Sequence, residues 1–233
     1  MTATLPILAI PGTLCDSQLF EPLESALGRS FDVAECHHFR TTAEAAAGVL
    51  ARAPSRFIAL GFSLGGWVAL ELLRLAPERV AAVILLSGNA FPDDPENEIA
   101  RRGSVKASRD GGMETFFRYN YPRFVGDGAL RSVDLRPFIL AMAERVGHDA
   151  HERQVEMNIA RPDLLAIADN STVPILIVAG GEDRLCPRVR YERTAAGPRV
   201  QLAILPGIGH FLPLEAPSMT AAVVNEFLKG VRL

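Results

Sequence analysis

Lysine is nearly absent from this chain: of its 24 basic residues only Lys106 and Lys229 are not arginine. With 27 acidic residues the net charge is -3. There is no basic excess to neutralise phosphates, which excludes a nucleic-acid partner. We read the arginine bias as composition rather than function. Cysteine is scarce too. Cys15, Cys36 and Cys186 are odd in number, widely spaced and without a Cys-x-x-Cys pair, which points away from a disulfide framework or a thiolate zinc site. The longest apolar runs, such as residues 80–86, fall far short of the roughly 20 residues that span a bilayer. Residues 1–4 lack the basic stretch of a signal peptide. The expectation is a soluble cytoplasmic protein with no membrane partner, its oligomeric state unspecified.

What is present is a chain of 233 residues, 48% hydrophobic, long enough to bury a core without metals or disulfides. Aliphatic runs at 5–10, 31–36, 56–60, 80–86, 174–179 and 199–205 alternate with helical patterns at 17–27, 42–53, 64–75, 188–195 and 218–229. Near-continuous apolar strands are expected where helices cover both faces of a parallel sheet. The alternation stops at residues 89–165, which hold helical patterns at 113–125, 130–146 and 148–159 and no convincing strand. The expected architecture is α/β, a mostly parallel sheet of about six strands flanked by helices. Residues 1–88 and 166–233 form its core, and 89–165 an inserted helical cap.

The strongest local motif is Gly61-Phe62-Ser63-Leu64-Gly65-Gly66, between an expected strand and an expected helix. In that context Gly-x-Ser-x-Gly is a sharp turn that lifts the serine above the sheet. The amide of Leu64, at the helix N-terminus, would face the same space as the Ser63 hydroxyl. The bland alternative is a glycine-rich turn with an idle serine. Among five histidines, His37 and His38 read as surface residues. His148 and His151 have a spacing compatible with a metal, but no third ligand is apparent, and no metal is expected. His210, just beyond the last strand, is the candidate base, against a bland role in stabilising a turn. Asp183, in the loop after the 174–179 strand, is the candidate orienting acid, with Glu182, Asp93 and Asp94 as rivals. Asp93 and Asp94 read better as the start of a helix whose later Arg101, Arg102, Lys106 and Arg109 complement its dipole. That basic cluster is therefore not expected to be an anion site, although a carrier-protein contact stays open.

The order Ser63, Asp183, His210, each on a loop after a strand, resembles the α/β-hydrolase superfamily and its small esterase-like members with a helical cap. Gly180-Gly181-Glu182-Asp183-Arg184-Leu185-Cys186-Pro187 is similar to the family's acid loop, and the segment from His210 to Pro217 to its histidine loop. Ile10-Pro11-Gly12-Thr13-Leu14 matches the oxyanion loop in position, with Pro11 where the family usually has histidine. The resemblance implies a second oxyanion donor at the Thr13 amide. It also implies that the N-terminal hairpin common in the family is missing here.

The expected activity is that of a serine hydrolase acting on a small-molecule carboxylic ester through an acyl-enzyme, with no cofactor. Acyl transfer, thioester or lactone cleavage use the same triad. A non-hydrolytic lyase, or a binding protein without turnover, remains possible on the same scaffold. Trp67, Phe116, Phe117, Tyr119, Met142 and Phe211 are the candidate substrate contacts, for a small-to-medium hydrophobic acyl group. Such residues at helical spacing are otherwise simply core, as are Met113, Tyr121 and Met157. Cys15 and Cys186 are expected to serve packing.

Overall fold

A computed structural model describes residues 5–132 and 134–231, the side chain of Tyr119 excepted. The elements run β1 (Ile7–Ile10), a 3-10 turn (Ser17–Phe20), α1 (Glu21–Leu27), β2 (Asp32–Val33), α2 (Thr42–Leu50), β3 (Phe57–Phe62), α3 (Leu64–Leu75) and β4 (Val80–Leu86). Five helices follow: α4 (Asn97–Phe124), α5 (Asp127–Ser132), α6 (Arg136–Val146), α7 (His148–Ile159) and α8 (Leu165–Asp169). The chain then forms β5 (Ile175–Gly180), α9 (Arg188–Thr194), β6 (Val200–Leu205), α10 (Leu212–Glu215) and α11 (Pro217–Lys229).

The strands form one six-stranded sheet in the order β2-β1-β3-β4-β5-β6, and every recorded pairing is parallel. Alternation along each strand sorts side chains to two faces. Ile58, Leu60, Phe62, Ile84 and Leu86 join one core with Leu23 of α1 and Val224 and Phe227 of α11. Phe57, Ala59, Val83 and Leu85 join the other with Val49 of α2 and Leu70 and Leu73 of α3. Both faces are covered, so β3, β4 and β5 are buried at every position and read as unbroken apolar runs. Burying one such large aliphatic side chain contributes about 1.5–3 kcal/mol relative to exposure.

Local chemistry sets the helix ends. Thr41 and Glu44 form a reciprocal capping box at the start of α2, and Gly28 closes α1 in the left-handed region at φ 65°. Several boundaries differ from the sequence reading. The 31–36 strand shrinks to two residues at the sheet edge, where only β1 pairs with it. The helix expected at 113–125 is the second half of α4, which starts at Asn97 and breaks at Gly112, where φ is 77°. The 130–146 pattern divides into α5 and α6, with Pro137 in the first turn of α6.

Strand order fixes where a site can form. From β1 the chain moves outward to β2, then returns to β3 on the other side of β1. The loops leaving β1 and β3 therefore diverge at their carboxyl ends, the crevice in which open α/β sheets hold ligands.

Candidate active site

Ser63 leaves β3 with φ 49° and ψ -118°, a backbone strained for a residue with a side chain. Two glycines permit it. A Cβ on Gly61 would lie 2.2 Å from the Gly65 carbonyl oxygen, and one on Gly65 only 2.1 Å from that of Ile10. The turn thus presses α3 against β1. The Ser63 amide donates to Leu86 O at 2.8 Å, anchoring the turn to β4.

The loops after β5 and β6 bring the other two candidates to this edge. Ser63 Oγ lies 2.9 Å from His210 Nε2, and His210 Nδ1 lies 2.7 Å from Asp183 Oδ2. The Asp183 side chain is 1% exposed and that of His210 6%. Burial is the largest single influence on the Asp183 carboxyl and pushes its pKa up. The His210 ring, the Tyr191 hydroxyl and the Leu185 amide together outweigh it and hold the pKa below the usual value. An ionised Asp183 has no proton to give, so His210 Nδ1 carries the hydrogen and Nε2 accepts from Ser63. Tyr191 donates to Asp183 Oδ2 at 2.6 Å, and the amides of Leu185 and Cys186 donate to Oδ1 at 2.8 and 3.1 Å.

The histidine loop is pinned from two sides. Glu215 accepts from the amides of Gly209 and Phe211, each at 3.0 Å, and from Gly126 at 2.7 Å. Ser87, itself at φ 50°, donates its hydroxyl to His210 O at 2.7 Å. The rival acid Glu182 instead accepts from the Asp127 amide.

Thr13 lines the same cavity as Ser63, and Leu64 follows Ser63 in the chain. Leu64 opens α3, where first-turn amides lack an intrahelical acceptor. Among the described residues neither the Thr13 nor the Leu64 amide donates to a recorded backbone or side-chain acceptor. The neighbouring Leu14 sits at φ 56°, and its amide donates to Gln154 Oε1 of α7 at 2.9 Å. Asn158, one turn further along α7, donates to Thr13 Oγ1 at 2.9 Å. Where the resembled family has a histidine beside this loop, here Pro11 stands, and two amides of α7 brace the loop from outside. No motif points to Gln154 or Asn158, because the contacts join residues about 140 positions apart.

Ser63 and His210 open on a cavity of about 300 Å³ between the sheet edge and the helices α4 and α7. Of the candidate substrate contacts, Trp67, Phe116, Phe117 and Phe211 line it. The Tyr119 side chain lies outside the described residues. Met142 corrects the sequence reading: it is 0% exposed and packs in the core with Ile139 and Phe117, away from the lining. Met113, Tyr121 and Met157 are likewise core. Three arginines were missed, Arg123, Arg161 and Arg190, and Arg101 was read only as complementing a helix dipole; all four join the aromatic residues in the wall. Asp93 does not open a helix, as the sequence suggested; it receives both Arg101 and Arg161. His151 also reaches the cavity, its ring 5.5 Å from Phe116 and its Nδ1 3.2 Å from Ser108 Oγ. All three cysteines are buried, and burial pushes their thiol pKa values up, to about 12 for Cys36 and about 11 for Cys186. They are protonated at neutral pH, which suits packing better than nucleophilic chemistry.

The chain is similar to several known proteins. An acetyltransferase component of the acetoin cleaving system from Pseudomonas putida is 26% identical over 174 residues, covering 72% of this chain but only 44% of that protein. A pimeloyl-[acyl-carrier protein] methyl ester esterase from Aromatoleum aromaticum is 28% identical over 195 residues, covering 78% of each. The crystal structure of the enol-lactonase from Burkholderia xenovorans has a TM-score of 0.83 at 22% identity, with 97% of this chain and 92% of that one covered, which is a likeness of fold. No helix among the described residues is long and apolar enough to cross a membrane. The family model described as the alpha/beta hydrolase family matches residues 21–223, and the chain belongs to that family.

Proposed function

We propose that the protein is a serine hydrolase that cleaves a carboxylic ester of a small molecule through an acyl-enzyme. The observation that carries the reading is the hydrogen-bonded line from Ser63 Oγ through both ring nitrogens of His210 to the buried Asp183. Ser63 Oγ attacks the ester carbonyl as its proton passes to His210 Nε2. Asp183 keeps the ring in this tautomer and stabilises the imidazolium. The amides of Thr13 and Leu64 receive the developing oxyanion, where one such donor is worth roughly 2.7–4 kcal/mol. The imidazolium then protonates the departing alkoxide, leaving the acyl group on Ser63. Water attacks that acyl group as His210 takes its proton; the proton returns to Ser63 and the acid departs. No cofactor enters these steps. Residues 89–165 act as a cap over a core of 1–88 and 166–233, limiting water around the acyl-enzyme. The name of the Aromatoleum aromaticum relative, a methyl ester esterase, favours an oxygen ester over the other acyl bonds.

The test is hydrolysis of p-nitrophenyl esters from acetate to dodecanoate by the wild type and Ser63→Ala. The variant should fold and lose at least about 10⁴-fold in kcat. A folded Ser63→Ala with wild-type turnover would rule the mechanism out.

A further inference from the structure

The wall of the cavity over Ser63 is unbalanced in charge. Arg101, Arg123, Arg161 and Arg190 line it, and among the described residues no aspartate or glutamate does. The carboxylates that serve these arginines stand behind the wall: Asp93 receives Arg101 and Arg161, and Asp94 receives Arg190. Asp93 and Asp94 therefore balance two of three converging guanidinium groups, with Arg123 in addition.

Arg161 is the centre of the imbalance. Its side chain is only 9% exposed, and its guanidinium lies 4.2 Å from the Trp67 ring centroid. Nη1 donates to Asn158 at 3.0 Å and Nη2 to Asp93 at 2.8 Å. Nε is the one buried side-chain nitrogen or oxygen without a hydrogen-bond partner among the described residues. Native structures rarely leave such a donor unmatched, and a guanidinium does not escape the cost by losing its proton at neutral pH. Burial, with Arg101 and Arg190 nearby, lowers the Arg161 pKa to about 10 although Asp93 opposes the shift. Charge of the same sign has been gathered at a desolvated place, which is costly unless an anion completes it.

We infer that the cavity takes an ester bearing a second, ionised carboxylate, a half-ester of a dicarboxylic acid, with the free carboxylate received by the cluster of Arg161, Arg101 and Arg190. The inference rests on the ester-hydrolase reading of the same site and names its substrate class. It replaces the hydrophobic acyl group expected from the cap's aromatic residues. Phe116, Phe117 and Phe211 then flank the methylene chain, and the arginines hold its far end. A planar guanidinium fixed on an aromatic face suits a carboxylate, which can accept two parallel N–H groups.

The test compares monomethyl adipate with methyl adipamate, a neutral counterpart of nearly the same shape, by pH-stat at low salt. The wild type should prefer the half-ester at least tenfold in kcat/KM, with the difference in KM, and 0.5 M NaCl should reduce it. In Arg161→Gln the preference should fall below threefold. Arg190→Gln, which leaves the buried Asp93 pairs in place, should also reduce it, so that poor folding of the first variant decides nothing. Equal kcat/KM for the two esters in a wild type that turns over p-nitrophenyl acetate would overturn the inference and leave the hydrolase reading standing. If no ester is turned over, that reading fails, and calorimetry of adipate against adipamide decides the anion site. Tighter binding of adipate supports the site, and equal or absent binding overturns it.

Discussion

Replacing Gln154 with alanine tests whether α7 sets the geometry of the loop after β1, proposed above to supply an oxyanion donor. The Leu14 amide is buried against Gln154 Oε1 at 2.9 Å, and Leu14 is in the left-handed region, φ 56°. That conformation costs a residue with a side chain on the order of 1–3 kcal/mol and persists only where its surroundings hold it. Gln154→Ala leaves a buried donor without an acceptor, at a cost of about 1–3 kcal/mol. The loop can relieve this by turning the Leu14 peptide towards water, which also turns the Thr13 amide beside it. The ceiling is loss of one oxyanion donor, roughly 2.7–4 kcal/mol, or 10²–10³ in kcat. The second tether, from Asn158 to Thr13 Oγ1, survives and limits the displacement. The expected result is a fall in kcat on p-nitrophenyl acetate of about 10–100-fold, with KM nearly unchanged. Gln154→Glu keeps an acceptor oxygen and should recover most of the loss. Thermal melts of both variants separate this effect from unfolding. A folded Gln154→Ala with kcat within twofold of wild type would refute the reasoning.

Asp183→Asn should lower kcat at neutral pH by about 10⁴-fold, through the wrong tautomer of His210, with the fold retained. Because the folded pKa of Asp183 is depressed, its stabilising contribution is full above the ordinary value of 3.8 and is lost as the pH falls through the folded value. Urea midpoints of wild type and Asp183→Asn should therefore differ at pH 7 and converge in stronger acid. His151 also loses stability on acidification, at a higher pH. Burial first, then His148 and Arg109, lower its pKa from 6.5 to about 4, so between those values the unfolded chain binds more protons. Acidification through that window should cost up to about 3 kcal/mol. His151→Gln should flatten that part of a stability-against-pH curve, and an unchanged slope would refute it. Gly65→Ala forces a Cβ to within 2.1 Å of Ile10 O and should lower the thermal midpoint by on the order of 10 °C, with activity lost.

The sheet was legible because its strands are buried on both faces, so their apolar runs stand out without any partner in view. The Ser63 turn was legible for a similar reason: the close approaches at Gly61 and Gly65 require glycine at fixed offsets from the serine. Asp183 and His210 were harder, since their positions after strands marked them only in combination with the resemblance of the 180–187 and 210–217 segments to a family's loops. Met142 was misread because helical spacing identifies a buried face but not whether a cavity or a neighbouring side chain covers it. The arginine cluster was invisible for a different reason. Arg101, Arg161 and Arg190 come from α4, from the segment after α7 and from α9, and only the folded chain brings them to one wall. Along the sequence Arg101 stood among charges that complement a helix dipole.

One helix, α7, has two duties. His151, Val155 and Asn158 form part of the cavity wall, while Gln154 and again Asn158 hold the loop after β1. A lineage adapting to a new substrate through substitutions on α7 therefore changes turnover whenever it changes preference, and gains in one are exposed to losses in the other. The wall contributed by α4, where Asn97, Ala100, Ser104 and Phe116 face the cavity, has no recorded hydrogen bond to that loop among the described residues. Divergence of substrate preference among close relatives should accumulate on α4, with α7 comparatively fixed, and libraries aimed at new substrates should start there.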